Sequence, residues 1–215
     1  MATSETATAK EWVAGLVPGT WFWGRDVPGR ADVVHPVLSR LCRDRANGVW
    51  RVARGLYWRG YPQGHSRFGV RPSYRVGALL HAGPGAGLFG WSALNALSWT
   101  LQSPAKCHVS VVGKAPQPPH PTVVYHSNSN RRRESLSWAE VTILEAARWF
   151  QYGGEPWSEC LEALRENASA AGAGVSALRP SMLLWASETE MGASVEARHR
   201  IEVIAGALPQ EVPAQ

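Results

Sequence analysis

An apolar stripe at helical spacing, followed directly by a β-rich hairpin signal, leaves few ways to fold residues 32–59. Val34, Val37, Leu38 and Leu41 recur at three- and four-residue steps, as one buried face of a helix requires. The opposite face carries Asp32, His35, Ser39, Arg40 and Arg43. The spacing predicts a helix over 32–45, with Asp32 as the N-cap accepting N–H bonds from the first turn. Pro36 falls close enough to that turn to be tolerated. Two β-rich runs then flank Ala53-Arg54-Gly55, where glycine can take the positive φ of a tight hairpin. Upstream, 9–16 reads as a short helix and 21–23 as a short strand or a core-packing turn. Helix, strand or turn, helix, basic hairpin is the order of a winged helix-turn-helix. That fold lays a helix in the major groove and grips the backbone with its hairpin.

The distribution of charge agrees with that order. Residues 1–75 hold 12 Lys and Arg against 5 Asp and Glu, whereas 76–215 hold 10 against 12. Every early cation except Lys10 is arginine, whose planar fork binds phosphate through paired hydrogen bonds. A genomic bias toward Arg and Ala raises the arginine count, but it does not place the excess before residue 75. The N-terminal third is therefore the expected nucleic-acid footprint. The candidate DNA-binding residues are Arg30, just ahead of the predicted helix; His35, Ser39, Arg40 and Arg43 on its polar face; and Arg51, Arg54 and Arg59 on or beside the hairpin. Arg40 and Arg43 suit guanine edges, which discriminate sequence. Arg51, Arg54 and Arg59 suit phosphates, which set register and salt dependence. His35 is either a base reader or an ordinary residue of the helix N-terminus. Trp50 and Trp58 flank the turn and can brace it.

Beyond the hairpin, residues 61–71 are rich in Gly, Pro, Ser and Arg and read as a basic linker. Helices are expected over 72–82 and 91–99, with a glycine-rich loop at 83–90 between them. Strands are expected over 107–112 and 122–126, joined by a proline-rich turn. Arg131-Arg132-Arg133 reads as an exposed basic tip. Ser137-Trp138-Ala139-Glu140 matches a capping box, so a helix should start there and run to about residue 150. Further helices are expected over 156–170, 181–185 and 194–207. The fold class is α+β: an N-terminal winged helix-turn-helix over 1–60, the linker, a mixed α/β interaction domain over 72–208 ending in helices, and a flexible tail over 209–215.

Several function classes are excluded. Hydrophobic residues make up 45% of the chain, enough for a core and too many for a disordered tail protein. No apolar run reaches the ~18 residues of a membrane span. The first nine residues carry Glu5 and no apolar centre, so a signal peptide is not expected. Cys42, Cys107 and Cys160 lie far apart without a C-x-x-C pair, which suits reduced thiols in a cytoplasm. His81, His108, His120 and His126 form no H-x-x-x-H or H-E-x-x-H spacing. Every Asp precedes residue 45 and no D-x-D or D-x-E pair occurs, which argues against two-metal phosphoryl transfer. No Gly-Lys-Ser/Thr follows the glycine-rich loop, and Ser92 lacks a G-x-S-x-G setting and reads as a helix cap. No nucleophile, base and orienter assemble from these residues. No enzymatic activity, cofactor or metal is expected.

Leu38-Ser39-Arg40-Leu41, followed by Trp50-Arg51-Val52-Ala53-Arg54-Gly55-Leu56-Tyr57, resembles the "L-x-R-L … R-V-x-R-G-x-Y" signature of AbiEi-type antitoxins and related bacterial winged-helix regulators. Gly90-Trp91-Ser92-Ala93-Leu94 resembles the "G-x-S-A-L" helix of that family. The resemblance covers about residues 12–150 and departs from the pattern at Pro36 and in the 60–71 loop. It implies an operator-binding winged helix that represses its own operon. It also implies a C-terminal domain that counters a nucleotidyltransferase toxin in a type IV toxin–antitoxin or phage-defence system. The family's DNA contacts, carried across, fall on His35, Ser39, Arg40, Arg43, Arg51 and Arg54. The expected partners are double-stranded DNA at the chain's own promoter, with inverted half-sites about 34–36 Å apart or a multiple of that, the toxin, and another copy of the chain on DNA. No membrane partner is expected. The alternative is a protein-interaction or scaffold module of a phage-defence system with weak or vestigial DNA binding.

Overall fold

A computed structural model describes residues 4–61, 72–167, 178–189 and 194–208. The expected linker, save Tyr61, and the expected tail lie outside the described residues, as does the end of the helix expected over 156–170. The described structure is mixed α+β, with two small sheets and helices around them. The chain divides into two compact units, Met1–Gly77 and Ala78–Gln215.

The first unit opens with α1 (Glu5–Gly15), which starts earlier than apolar spacing alone indicates because Ser4 caps it. The Ser4 hydroxyl accepts the Ala7 N–H at 3.3 Å, and Glu5 sits in the first turn, where the helix dipole favours a carboxylate. β1 (Trp21–Trp23) runs into a single 3-10 turn, Gly24–Asp26, held by the Asp26 carboxylate accepting the Trp23 N–H at 2.9 Å. α2 (Ala31–Arg43) follows, with Arg30 and not Asp32 in the N-cap position. Asp32 lies inside the first turn and Pro36 within the helix, where its ring removes one main-chain donor. Val34, Val37 and Leu38 are buried, as the spacing predicts.

β2 (Val49–Ala53) and β3 (Leu56–Arg59) form the hairpin, closed by Arg54-Gly55 with Gly55 at φ +77°. The sheet is antiparallel in the order β1-β3-β2, with Trp58 opposite both Trp21 and Trp50. Register slips between Arg51 and Ala53, so the hairpin carries a bulge near its tip. Side chains alternate across the sheet. Phe22, Val49 and Tyr57 enter the core shared with α1 and α2, where Phe22 stacks on Tyr57 at 5.5 Å. Trp50 and Trp58 pack at 5.0 Å and Trp21 and Trp58 at 6.5 Å. The first unit extends past the expected limit at residue 60 because α3 (Tyr74–Ala82) brings Gly77 against the sheet. A methyl group at Gly77 would meet Val52 at 2.6 Å and Trp21 at 3.2 Å.

In the second unit, β4 (Gly87–Leu88) lies inside the segment expected to be loop. It pairs antiparallel with β5 (Cys107–Val112), which pairs in parallel with β6 (Val123–Asn128). The crossover, residues 113–122, contains four prolines and no helix. α4 (Trp91–Ala96) is capped by Gly90; Ser92 is no cap, and its hydroxyl accepts the His108 N–H at 2.9 Å. α5 (Trp138–Trp149) is the buried helix of this unit, and its capping box forms as predicted between Ser137 and Glu140. α6 (Trp157–Asn167), α7 (Pro180–Ser187) and α8 (Val195–Ala207) complete the unit.

Of the Arg131–Arg133 triplet, only Arg131 is the exposed residue expected of a solvated tip. Arg131 pairs with Glu134, and Arg132 donates to the Trp185 carbonyl and lies 4.8 Å from the Trp185 ring. Arg133 is fully buried, with Nη1 donating to Glu145 at 2.6 Å and to Ser110 at 2.9 Å. A charge is tolerated in that interior only because its counter-charge is buried with it.

A second carboxylate ties α7 to the start of α5. Glu140 accepts from Arg179 Nε at 2.9 Å, Arg179 Nη2 at 2.6 Å and the Arg179 main-chain N–H at 2.9 Å. Burial raises its pKa, but the bonds from Arg179 and Ser137 outweigh burial and hold the carboxyl below its ordinary 4.5. A depressed native pKa gives stability that is full above the unfolded value and is lost as pH falls through the native one. Urea unfolding followed from about pH 7 down to about pH 3 should show that loss below about 4.5. Arg179→Gln should flatten the acid limb.

Candidate functional site

α2 and the hairpin together enclose a cleft of about 650 Å³. His35, Ser39, Cys42 and Arg43 line it from the helix, and Arg51, Arg54, Gly55 and Tyr57 line it from the hairpin. Local chemistry sets both walls. His35, Ser39, Cys42 and Arg43 lie at steps of four, three and one along α2, so they share a face adjoining the buried Val34–Leu38 stripe. The C-terminal end of that helix is fastened. The Asp44 N–H donates to the Arg40 carbonyl at 3.4 Å, the Asp44 carboxylate accepts the Ala46 N–H at 3.0 Å, and Asn47 Nδ2 donates to the Leu41 carbonyl at 3.4 Å. On the hairpin, Arg51 is the cross-strand partner of Tyr57, so the two project from the same sheet face. Gly55 takes the left-handed turn, and its carbonyl accepts the Gly24 N–H at 2.8 Å, tying the tip to the turn after β1.

Three guanidinium groups and no carboxylate line this cleft. Among the described residues no acidic side chain pairs with Arg43, Arg51 or Arg54, whose charges therefore add in one place. Burial pushes the Cys42 thiol up to about 11, against the opposing pull of Arg51 and its main-chain N–H. Cys42 is thus a neutral wall at physiological pH and not a nucleophile. Burial raises the Tyr57 phenol as well, with Arg51 opposing, so its hydroxyl stays a donor. The cleft offers fixed cations, a hydroxyl, an imidazole and a phenol, a set of donors that suits an anion.

Five of the eight residues singled out from the sequence meet here: His35, Ser39, Arg43, Arg51 and Arg54. Arg40 is exposed on α2 outside the cleft. Arg30 sits at the helix entrance, forked onto the Asp32 carboxylate at 3.1 and 2.7 Å, so its charge is locally offset. Arg59 is almost wholly buried. It is 8% exposed, and its Nη1 donates to the carbonyls of Asn47 at 2.6 Å, Gly48 at 3.3 Å and Gly60 at 2.9 Å. The alternation of β3 carries the reason: Arg59 follows Tyr57 by two positions and lies opposite Val49, on the face that meets the helices. Cys42 and Tyr57 escaped the sequence reading, although Cys42 falls on the His35–Ser39 face and Tyr57 is the period-two neighbour of Arg59.

In the second unit His108 Nδ1 and His126 Nε2 lie 2.8 Å apart, with Phe89 stacked on His126 at 4.0 Å. Burial lowers both pKa values, so the pair shares one hydrogen bond as neutral rings. Among the described residues no three His, Cys, Asp or Glu side chains group as a metal site requires. No described helix is long and apolar enough to cross a membrane.

No protein-family model matches the chain, and no curated protein matches it. Among solved structures it is similar to the crystal structure of the RV2827C protein from Mycobacterium tuberculosis, with TM-score 0.44 and 13% identity over 99% of this chain and 84% of that one.

The Cys42 thiol provides a direct check on the cleft wall. Iodoacetamide labelling of the folded protein, read at the Cys42 peptide by mass spectrometry, should be slow near neutrality and climb toward pH 11. The urea-unfolded chain should follow the ordinary value of 9.0. Equal rates in the two states near neutrality contradict the buried position.

Proposed function

We propose that the first unit is a winged helix-turn-helix, with α2 as recognition helix and β2–β3 as wing, and that the protein is a DNA-binding transcriptional regulator. Its operator is its own promoter, its role that of antitoxin and autorepressor in a type IV system, and its protein partner a nucleotidyltransferase toxin. The observation that carries the DNA reading is the convergence of His35, Ser39 and Arg43 from a helix with Arg51 and Arg54 from a hairpin on one carboxylate-free cleft. Strand order β1-β3-β2 supports it, because the wing strands then extend the same sheet that supports the helix. The motif departs from the usual pattern in one respect: a single 3-10 turn, Gly24–Asp26, stands where a full helix would precede the recognition helix. The antitoxin role rests on the resemblance of the 38–41 and 50–57 segments to AbiEi-type proteins.

In this reading α2 enters the major groove, and Ser39, Arg43 and the exposed Arg40 face base edges. Arg51 and Arg54 hold phosphates of the flanking backbone, where positive charge releases counterions. Arg59 serves by anchoring the base of the wing. The second unit is the partner-binding domain.

Gel-shift titrations against the upstream region of the gene, at several salt concentrations, test this. Arg54→Ala should weaken binding to all sequences alike and reduce the slope of log K against log[salt] by about 1. Arg43→Ala should reduce discrimination at one base position by about 1–3 kcal/mol. The triple variant Arg43→Ala, Arg51→Ala, Arg54→Ala should bind no operator. Unchanged affinity and salt slope in that variant sink the DNA reading. Failure to co-purify with a neighbouring nucleotidyltransferase sinks the antitoxin role alone.

A further inference from the structure

The Gly24–Asp26 turn is seated against both elements that wall the cationic cleft. A methyl group at Gly24 would meet the Tyr57 ring of β3 at 3.2 Å and Leu38 of α2 at 3.4 Å. The Gly24 N–H also donates to the Gly55 carbonyl at 2.8 Å, so the turn is fastened to the hairpin tip. Its middle residue, Arg25, is exposed and lies outside the cleft.

Arg25 is held in place by a stack of planar groups. Its guanidinium carbon lies 5.1 Å from the centroid of the Trp23 ring. That ring lies in turn against the hairpin tip, where a methyl group at Gly55 would stand 3.8 Å from it. Side chains alternate along β1, and Phe22 stacks on Tyr57 in the core beneath the helices, so Trp23 takes the other face of the sheet. Guanidinium, indole and glycine thus sit at the tip on the side away from the cleft. Among the described residues no carboxylate pairs with Arg25; that of Asp26 is turned back to accept the Trp23 N–H at 2.9 Å. A guanidinium stacked on an indole keeps its charge and its edge donors, and it has already lost part of its rotamer freedom. Binding an anion therefore costs it less ordering than a free side chain would pay.

We propose that Arg25 is a further DNA-backbone contact, holding a phosphate on the side of the hairpin tip opposite the cleft. The inference rests on the regulator reading of the first unit. In a helix-turn-helix the helix ahead of the recognition helix crosses the sugar–phosphate backbone. Here the Gly24–Asp26 turn stands in that place, and Arg25 keeps the contact that a full helix would supply. Phosphate is the expected acceptor because the stack holds the guanidinium outside the cleft to which Ser39 and Arg43 belong.

Gel-shift titrations of the full chain test this, on a duplex from the upstream region and on an unrelated duplex of equal length, each at several salt concentrations. Arg25→Ala should weaken binding to both duplexes alike, by about tenfold at about 0.1 M salt, and lower the slope of log K against log[salt] by about 1. Arg25→Lys keeps the charge and should retain the slope of the parent. Arg25→Ala combined with Arg54→Ala should lower the slope by about 2, the sum of two separate phosphates. Circular dichroism and thermal unfolding of each variant should match the parent, as substitution of an exposed side chain allows. If the parent binds with salt-dependent affinity and Arg25→Ala keeps both affinity and slope, the Arg25 contact is overturned while the regulator reading stands. A loss confined to one duplex with the slope unchanged overturns it as well, since that marks a base contact. So does a slope that falls equally in Arg25→Lys, which assigns the stack a structural role. A parent that binds neither duplex overturns the regulator reading and the contact with it.

Discussion

β3 is the strand to which the rest of the first unit is referred. Among the described residues of that sheet it is paired along both edges, with β1 on one side and β2 on the other, and all four of its side chains are buried. One face presents Tyr57 to the helices, and Trp58 packs between Trp21 and Trp50. A strand held on both edges and both faces cannot slip without moving its side chains to the wrong face. The helix wall and the hairpin wall of the cationic cleft are therefore set by the same element. Arg43 and Arg54 come from opposite sides of the cleft, yet each is one short step from a residue packed with β3.

Charge in this unit falls into three environments. Arg43 lines the cleft from α2, and Arg51 and Arg54 line it from the hairpin, with no carboxylate among the lining residues. Arg30 is returned near neutrality by Asp32 beside it, an exposed pair of small energetic worth. Arg59 is spent inside the unit on main-chain carbonyls. A simple tally of arginines overstates the cationic surface, because sequence position does not distinguish a guanidinium that faces solvent from one that fastens a loop.

What could be read from the sequence was what local spacing decides. The buried stripe Val34–Val37–Leu38, the glycine turn at Gly55, the Ser137–Glu140 capping box and the strand over 107–112 all follow from interactions among residues a few positions apart. The helix face His35–Ser39–Arg43 was legible for the same reason. Partners distant in sequence were not. Arg133 reads as a loop tip until Glu145 is brought beneath it, and Glu140 gives no sign that Arg179 will reach it across 39 positions. The earlier start of α1 and the strand at Gly87–Leu88 were missed because a serine cap and two small residues carry little periodic signal. Arg59 carried a local clue to its burial, its phase relative to Tyr57.

The proline-rich crossover of the second unit bears on how that sheet comes together. Parallel strands are usually joined by a dozen or more residues containing a helix, whereas here ten residues suffice. Every residue of β5 meets a mate 16 positions onward. Four pyrrolidine rings trim the wandering of the intervening chain before any ladder exists, so little freedom remains to be surrendered on closure. Zippering of β5 against β6 is thus a short-range event that can precede the docking of α5 and everything after it.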